Sequence, residues 1–120
     1  MTTQEIAERL VELCRTGQYG EAQKELYADN AVSIEPAGSP NEKVEGLEGI
    51  IKKGEEFSNM IEQTFGGEVS DPLVAGNFFS VRMSMDVQFK GMGRIQMEEI
   101  CVYEVNDGKI VLEQFYFTQG

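Results

Sequence analysis

The sequence predicts an α+β domain in which three helices cover one face of a largely antiparallel sheet. Three observations carry that prediction. The first half of the chain places apolar side chains at helical spacing in three separate blocks. The second half alternates apolar and polar residues with period two, most regularly from Phe78 to Phe89. Two glycine-containing turns, Lys90-Gly91-Met92-Gly93 and Asn106-Asp107-Gly108, then join long strands as hairpins. At 120 residues the chain is expected to form one domain over 1–120.

Thr2-x-x-Glu5 has the form of a capping box, and Ile6, Ala7, Leu10, Val11, Leu13 and Cys14 continue from it as one apolar stripe. The first helix therefore ends near Gly17. A second, shorter helix is expected from Gln18 to Tyr27, stopping at Asp29-Asn30. Ala31 to Ile34 is β-prone and leads to Glu35-Pro36 and a polar loop from Gly38 to Gly46. A third helix runs from Leu47 to Met60, with Leu47, Ile50, Ile51, Gly54, Phe57 and Ile61 on its apolar side and Lys52, Lys53, Glu55 and Glu56 on the other. Gly54, unfavourable in mid-helix by about 1 kcal/mol against alanine, points to a close approach by another element.

The rest reads as strands. Gly67 to Val74 is interrupted by Asp71-Pro72, which suits an edge or a bulge. Phe78 to Phe89, Arg94 to Val105 and Lys109 to Phe117 form a meander. If the face ending in Phe89 is inward, hairpin pairing sends Ile95, Met97, Glu99, Cys101 and Tyr103 inward, followed by Val111, Glu113, Phe115 and Phe117. Ile100, Val102, Ile110, Leu112 and Tyr116 then form an apolar patch on the outer face, where a homodimer interface is expected.

Composition narrows the function classes. The chain is 41% hydrophobic and 26% charged, ordinary for a globular protein, and its net charge of −11 argues against nucleic acid and anionic membranes as partners. No apolar run approaches the roughly 20 residues needed to span a bilayer. The start Met1-Thr2-Thr3-Gln4-Glu5 lacks the basic residues of a signal peptide, so a cytoplasmic location is expected. Cys14 and Cys101 read as free, buried thiols. There is no histidine, which removes Ser-His-Asp and Cys-His catalysis and histidine metal sites from one chain. Glu98-Glu99 is no metal pair, because adjacent strand residues point to opposite faces. Gly91-Met92-Gly93 lacks the third glycine and following helix of a dinucleotide loop. Neither a cofactor nor a metal is expected.

With its elements in place, the chain resembles the nuclear transport factor 2-like superfamily, most nearly its SnoaL-like and ketosteroid isomerase branch. The features that carry the resemblance are Arg15-Thr16-Gly17, Leu26-Tyr27-Ala28-Asp29-Asn30-Ala31-Val32, Glu35-Pro36-Ala37-Gly38-Ser39 and Asn106-Asp107-Gly108-Lys109-Ile110-Val111, in that order. The resemblance implies a cone formed by three helices and a curved sheet around a mostly apolar pocket, with pairs associating through the sheet. It also implies that Glu35 stands where ketosteroid isomerases carry the aspartate that shuttles a proton. Leu10 and Cys101 fall at the positions of their oxyanion-hole tyrosine and protonated aspartate. Losing even one such donor costs roughly 3 kcal/mol of transition-state stabilisation, so steroid isomerisation by that machinery is not expected.

Glu35, Glu99 and Glu113 are the candidate acid/base residues, since carboxylates sharing a cavity have their pKa values driven apart. The alternative is that each is simply paired with a cation or hydrogen-bonded. Tyr19, Tyr27 and Tyr103 offer hydroxyls. Phe57, Phe79, Met83, Met85, Met97, Cys101, Phe115 and Phe117 offer a soft apolar wall for a hydrophobic small molecule, or equally an ordinary core. The expected function is cofactor-independent isomerase, cyclase or hydratase chemistry with Glu35 as general base. The alternatives are a non-catalytic small-molecule binder and a dimeric protein-interaction module.

Overall fold

The computed structural model describes residues 1–118. Helix α1 (Thr3–Arg15) opens with the capping box: the Glu5 N–H donates to Thr2 Oγ1 at 3.1 Å and the Thr2 N–H to Glu5 Oε1 at 2.8 Å. Helix α2 (Tyr19–Leu26) leads straight into strand β1 (Tyr27–Ile34), followed by β2 (Lys43–Glu45) and helix α3 (Leu47–Met60). Strands β3 (Ile61–Val69), β4 (Leu73–Ala75), β5 (Phe78–Phe89), β6 (Gly93–Asn106) and β7 (Lys109–Tyr116) complete the chain.

The strands form one curved, unclosed, seven-stranded sheet in the order β2-β1-β7-β6-β5-β3, with β4 on β5. It is mixed, because β1 runs parallel to β7 while the other pairs are antiparallel. The three helices pack on one face. Ile6, Leu10, Val11 and Cys14 of α1 and Ala22 and Leu26 of α2 bury against Phe79, Val81, Cys101, Tyr103 and Ile110 of the sheet. The cross-strand rings of Phe79 and Tyr103 stack at 4.7 Å. Arg15 ties the end of α1 to the sheet by donating to the Val69 carbonyl and to Asp71.

Several expectations are corrected, the first four at element boundaries and in α3. Tyr27 begins β1 rather than ending α2, paired with Ile110 of β7. The expected 38–46 loop contains β2, which pairs back on β1. Strand β3 starts at Ile61, six residues before the expected Gly67, because the chain passes from helix to strand with no glycine or proline between. The switch is held by the Lys90 N–H on the Met60 carbonyl. The tight glycine of α3 is Gly49: an added Cβ there would sit 2.9 Å from Val44, whereas at Gly54 it would meet only Gln23 at an ordinary 3.8 Å.

The inward set of β5 and β6 is as expected, with Met83 opposite Glu99 and Val81 opposite Cys101, and no bulge at Gly91 or Gly93. The last hairpin turns on Asp107 and Gly108, both at positive φ as a two-residue hairpin requires. A bulge then falls between Val105↔Ile110 and Glu104↔Leu112. That extra residue reverses the start of β7: Ile110 is fully buried in the core instead of joining the outer patch, and Val111 leaves the inward row. Beyond the bulge, Glu113 and Phe115 resume the inward positions.

A candidate acid/base site on the inner face

Parallel pairing of β1 with β7 sets Ser33 beside Glu113, and both are buried. The Ser33 hydroxyl donates to Glu113 Oε2 at 2.6 Å, and the Tyr27 hydroxyl donates to Glu113 Oε1. Burial raises the Glu113 carboxyl above its ordinary value, opposed by these two hydrogen bonds and by Lys53. Burial likewise raises the Tyr27 phenol, with the Glu113 charge adding to it, so the phenol stays protonated and remains the donor.

Lys53 enters the cluster from α3. Ile50, Lys53 and Phe57 follow one another at i, i+3 and i+7, which puts Lys53 on the sheet-facing side of the helix and not on the exposed side with Lys52. Its side chain is 16% exposed. The ammonium donates to Ser33 Oγ at 2.6 Å and to Glu35 Oε1 at 3.1 Å, and stands 5.4 Å from the centre of the Phe115 ring. Glu35 lies just past β1, where its backbone N–H bonds the Glu42 carbonyl across the β1–β2 hairpin. The result is one chain of contacts, Tyr27–Glu113–Ser33–Lys53–Glu35, running from the core toward the rim.

Glu99 lies on the inner face of β6 and is half-buried, opposite Met83. Its one hydrogen-bond donor among the described residues is weak, the Cys101 thiol at 3.6 Å. Burial is the largest influence on its carboxyl and raises it to about 7. The thiol hydrogen bond and Lys53 pull it down, while the charges of Glu35 and Glu113 push it up. Tyr19 borders the same region: burial, then the charges of Cys14, Glu99 and Cys101, raise its phenol. Burial also raises both thiols, Cys14 to about 12, so neither is a ready nucleophile at neutral pH.

The surroundings of Glu99 differ from the rest of the inner face. Phe79, Val81, Cys101 and Tyr103 are covered under α1 and α2, and Val87 and Phe89 are buried at the other end, where Phe89 meets the Phe57 ring edge-on at 5.7 Å. Between them Met83, Met85, Ile95, Met97 and Glu99 keep part of their surface accessible. Phe115 and Phe117 are half-buried on the neighbouring strand and just beyond it. Two surface hollows stand out. One of about 380 Å³ is lined by Asp29, Leu47, Glu48 and Ile51, and one of about 500 Å³ by Arg82, Asp86, Gln96 and Glu98 together with Met85 and Met97 of the same strands. Neither is lined by Glu35, Glu99 or Glu113.

Glu35, Glu99 and Glu113 thus belong to one electrostatic cluster. Glu35 is ion-paired and Glu113 accepts two hydroxyl hydrogen bonds, while Glu99 is the weakly partnered member. Leu10 and Cys101 are core residues, 2% and 0% exposed. Sequence reasoning missed Ser33 and Lys53. The period of β1, with Ala31, Ser33 and Glu35 alternating inward, and the position of Lys53 between Ile50 and Phe57 were the available signals. Among the described residues no group of three or more Cys, Asp or Glu is placed to hold a metal ion, and no helix is long and apolar enough to cross a membrane.

Three helices on a curved, unclosed sheet, with polar groups gathered on the helix-covered side, define a nuclear transport factor 2-like fold. Residues 1–117 match the SnoaL-like domain, and the chain belongs to that family. A Mesorhizobium loti protein provisionally named a SnoaL-like polyketide cyclase and carbohydrate phosphatase is 34% identical, with 98% of this chain and 100% of that one covered and a TM-score of 0.91. A Jannaschia protein with a similar polyketide cyclase name shares the fold at 16% identity and TM-score 0.75, covering 95% of this chain and 83% of that one. A Catenulispora acidiphila protein of ketosteroid isomerase-like fold, solved with trimethylamine, does so at 18% identity and TM-score 0.75, covering 95% and 85%. No curated protein matches the chain.

Proposed function

We propose that the protein is a cofactor-independent acid/base catalyst acting on a hydrophobic carbonyl compound, by isomerisation, cyclisation or hydration, with Glu99 as the proton-transferring group. The observation that carries this reading is the state of Glu99: a half-buried carboxyl with one weak partner, raised to about 7, on the accessible stretch of an otherwise covered face. A carboxyl of that pKa is present in both protonation states at neutral pH, which suits a group that takes a proton from carbon and returns it. Glu35, the base expected from sequence, is held by Lys53 and is assigned a supporting role. Tyr19, Met83, Met85, Met97 and Phe115 would contact the apolar part of the substrate. The polyketide cyclase part of the Mesorhizobium relative's provisional name supports such chemistry, while its carbohydrate phosphatase part does not. The protein is proposed to work in the cytoplasm as a homodimer joined through Ile100, Val102, Leu112 and Tyr116 on the outer face, of which Ile100 and Tyr116 are 44% and 51% exposed.

The test uses 2-tetralone, an apolar ketone with an acidic benzylic α-proton. Exchange of that proton in deuterium oxide is followed by NMR. Wild-type protein should accelerate exchange with a rate rising through an apparent pKa near 7, and Glu99→Gln should remove at least about 100-fold of the acceleration. Acceleration that survives Glu99→Gln would overturn the assignment. Loss with Glu35→Gln alone would return the role to Glu35.

A further inference from the structure

We propose that Lys53 is the oxyanion-stabilising group of this site, its ammonium donating to the oxygen on which negative charge develops. The proposal rests on the acid/base reading above and extends it to the electrophilic half of the reaction.

A base that removes a proton from carbon beside a carbonyl needs a donor for the enolate oxygen. Most donors around Glu99 are committed. The Tyr27 and Ser33 hydroxyls both donate to Glu113, and the Cys101 thiol donates to Glu99 itself. Leu10 contributes only carbon to the core. Lys53 differs, because two of its three N–H groups are taken, by Ser33 and Glu35, and among the described residues no partner takes the third. Tyr19 also has a hydroxyl in this region, but at 40% exposure its ring lies at the rim, where water competes for it.

The anchoring of Lys53 is what oxyanion stabilisation requires. A lysine head is ordinarily mobile, and a donor that must reorganise during the reaction loses much of its effect. Here Ser33 fixes the ammonium from one side, and Ser33 is itself fixed by Glu113, whose other oxygen accepts from Tyr27. Glu35 fixes it from another side, and the Phe115 ring lies 5.4 Å away. Glu113, buried and with no other evident task, then serves as a positioning residue for the cation.

The proton inventory closes without a further reactant. The substrate C–H bond breaks, a Glu99 Oε–H bond forms, and the electron pair becomes the enolate C=C as the carbonyl oxygen gains the negative charge. Glu99 is neutralised in the same step, so the net charge of the cluster of Glu35, Glu99, Glu113 and Lys53 plus substrate is unchanged. Charge moves from Glu99 to an oxygen facing Lys53. This favours substrates that arrive neutral, and disfavours carboxylate substrates, which would bring an extra negative charge to three glutamates.

The test reads the oxyanion directly with 4-nitrophenol, whose ionisation is visible in its absorption. Bound to wild-type protein, its apparent pKa should be lower by about one unit or more than when bound to the double variant Lys53→Met/Glu35→Gln, which removes both members of the ion pair together and leaves Glu113 its two hydroxyl donors. The double variant should also lose at least about 100-fold in 2-tetralone exchange. Glu99→Gln should keep the phenol shift while losing exchange, so the two assignments fail separately. An equal phenol pKa in wild type and double variant overturns the role of Lys53, whatever Glu99→Gln does to exchange. Failure of the wild type to bind 4-nitrophenol at millimolar concentration also overturns it. Circular dichroism checks the fold. Should the double variant not fold, Lys53→Gln, which keeps an amide donor toward Ser33 and loses the charge, is read against the same criteria.

Discussion

The two halves of the inner face are built from the same strands and face the same way, yet they have different fates. On β5 and β6 the pairs Phe79↔Tyr103 and Val81↔Cys101 are sealed beneath α1 and α2, while two residues farther along Met83↔Glu99 and Met85↔Met97 keep contact with solvent. Period-two alternation runs through both without a break. The difference comes from what lies above the sheet: the stripe of α1 from Ile6 to Cys14, joined by Ile50 of α3, covers one half, and α3 meets the other end through Phe57 on Phe89. A carboxyl in the covered half has to be met by fixed hydrogen bonds, as Tyr27 and Ser33 meet Glu113 opposite Tyr103. In the uncovered half, the same kind of position supports a carboxyl with a raised but accessible pKa.

The sharpest way to test that contrast is to truncate a side chain in each half. Phe79→Ala should cost about 3–5 kcal/mol, as expected for a fully buried ring, whereas Met83→Ala should cost about 1–2 kcal/mol because its side chain is only partly buried at the edge of the core. Denaturant unfolding of the two variants measures both. Equal costs would mean that the supposed open stretch is packed core.

Next in size is the effect of pH on stability. Because the Glu99 carboxyl is raised to about 7 in the folded protein from an unfolded value of 4.5, the native state retains a proton that the unfolded chain releases between those values. Stability should therefore fall as pH rises through that window and level off above it. Glu99→Gln should be more stable than wild type at pH 8 by up to about 3 kcal/mol, with little difference at pH 4. Glu113, raised by burial, contributes in the same direction and leaves a residual slope in the variant. A wild type whose stability rises from pH 5 to pH 8 would contradict this.

The smallest effect on the fold is expected on the outer face. Ile100→Lys/Tyr116→Lys should leave monomer stability within about 0.5 kcal/mol per site, since both residues are exposed. The same changes should convert a sedimenting dimer to a monomer. A wild type that already sediments as a monomer would remove the outer face from the account.

The fold class, the helix-first order and the meander were legible because they depend on periodicity, which α1 and β5 display with little interruption. Boundaries were less legible. The apolar spacing of α3 carries through Phe57 to Ile61, so nothing in the residues marks the change of period, and the bulge that turns Ile110 inward is set by the backbone of the last hairpin. The candidate site was half visible. Glu99 and Glu113 were placed inward by alternation alone, but Ser33 and Lys53 were not singled out, because a serine in a short strand and a lysine beside Lys52 look like surface. Their part emerges only when β1 is laid against β7 and α3 across it.

The central claim is that Glu99 titrates near neutrality inside an intact fold. Carbon-13 NMR of the glutamate side-chain carboxyls, with Glu99 assigned by its disappearance in Glu99→Gln, measures this without a substrate. A midpoint near 7 is predicted, and a midpoint near the ordinary 4.5 would contradict the account.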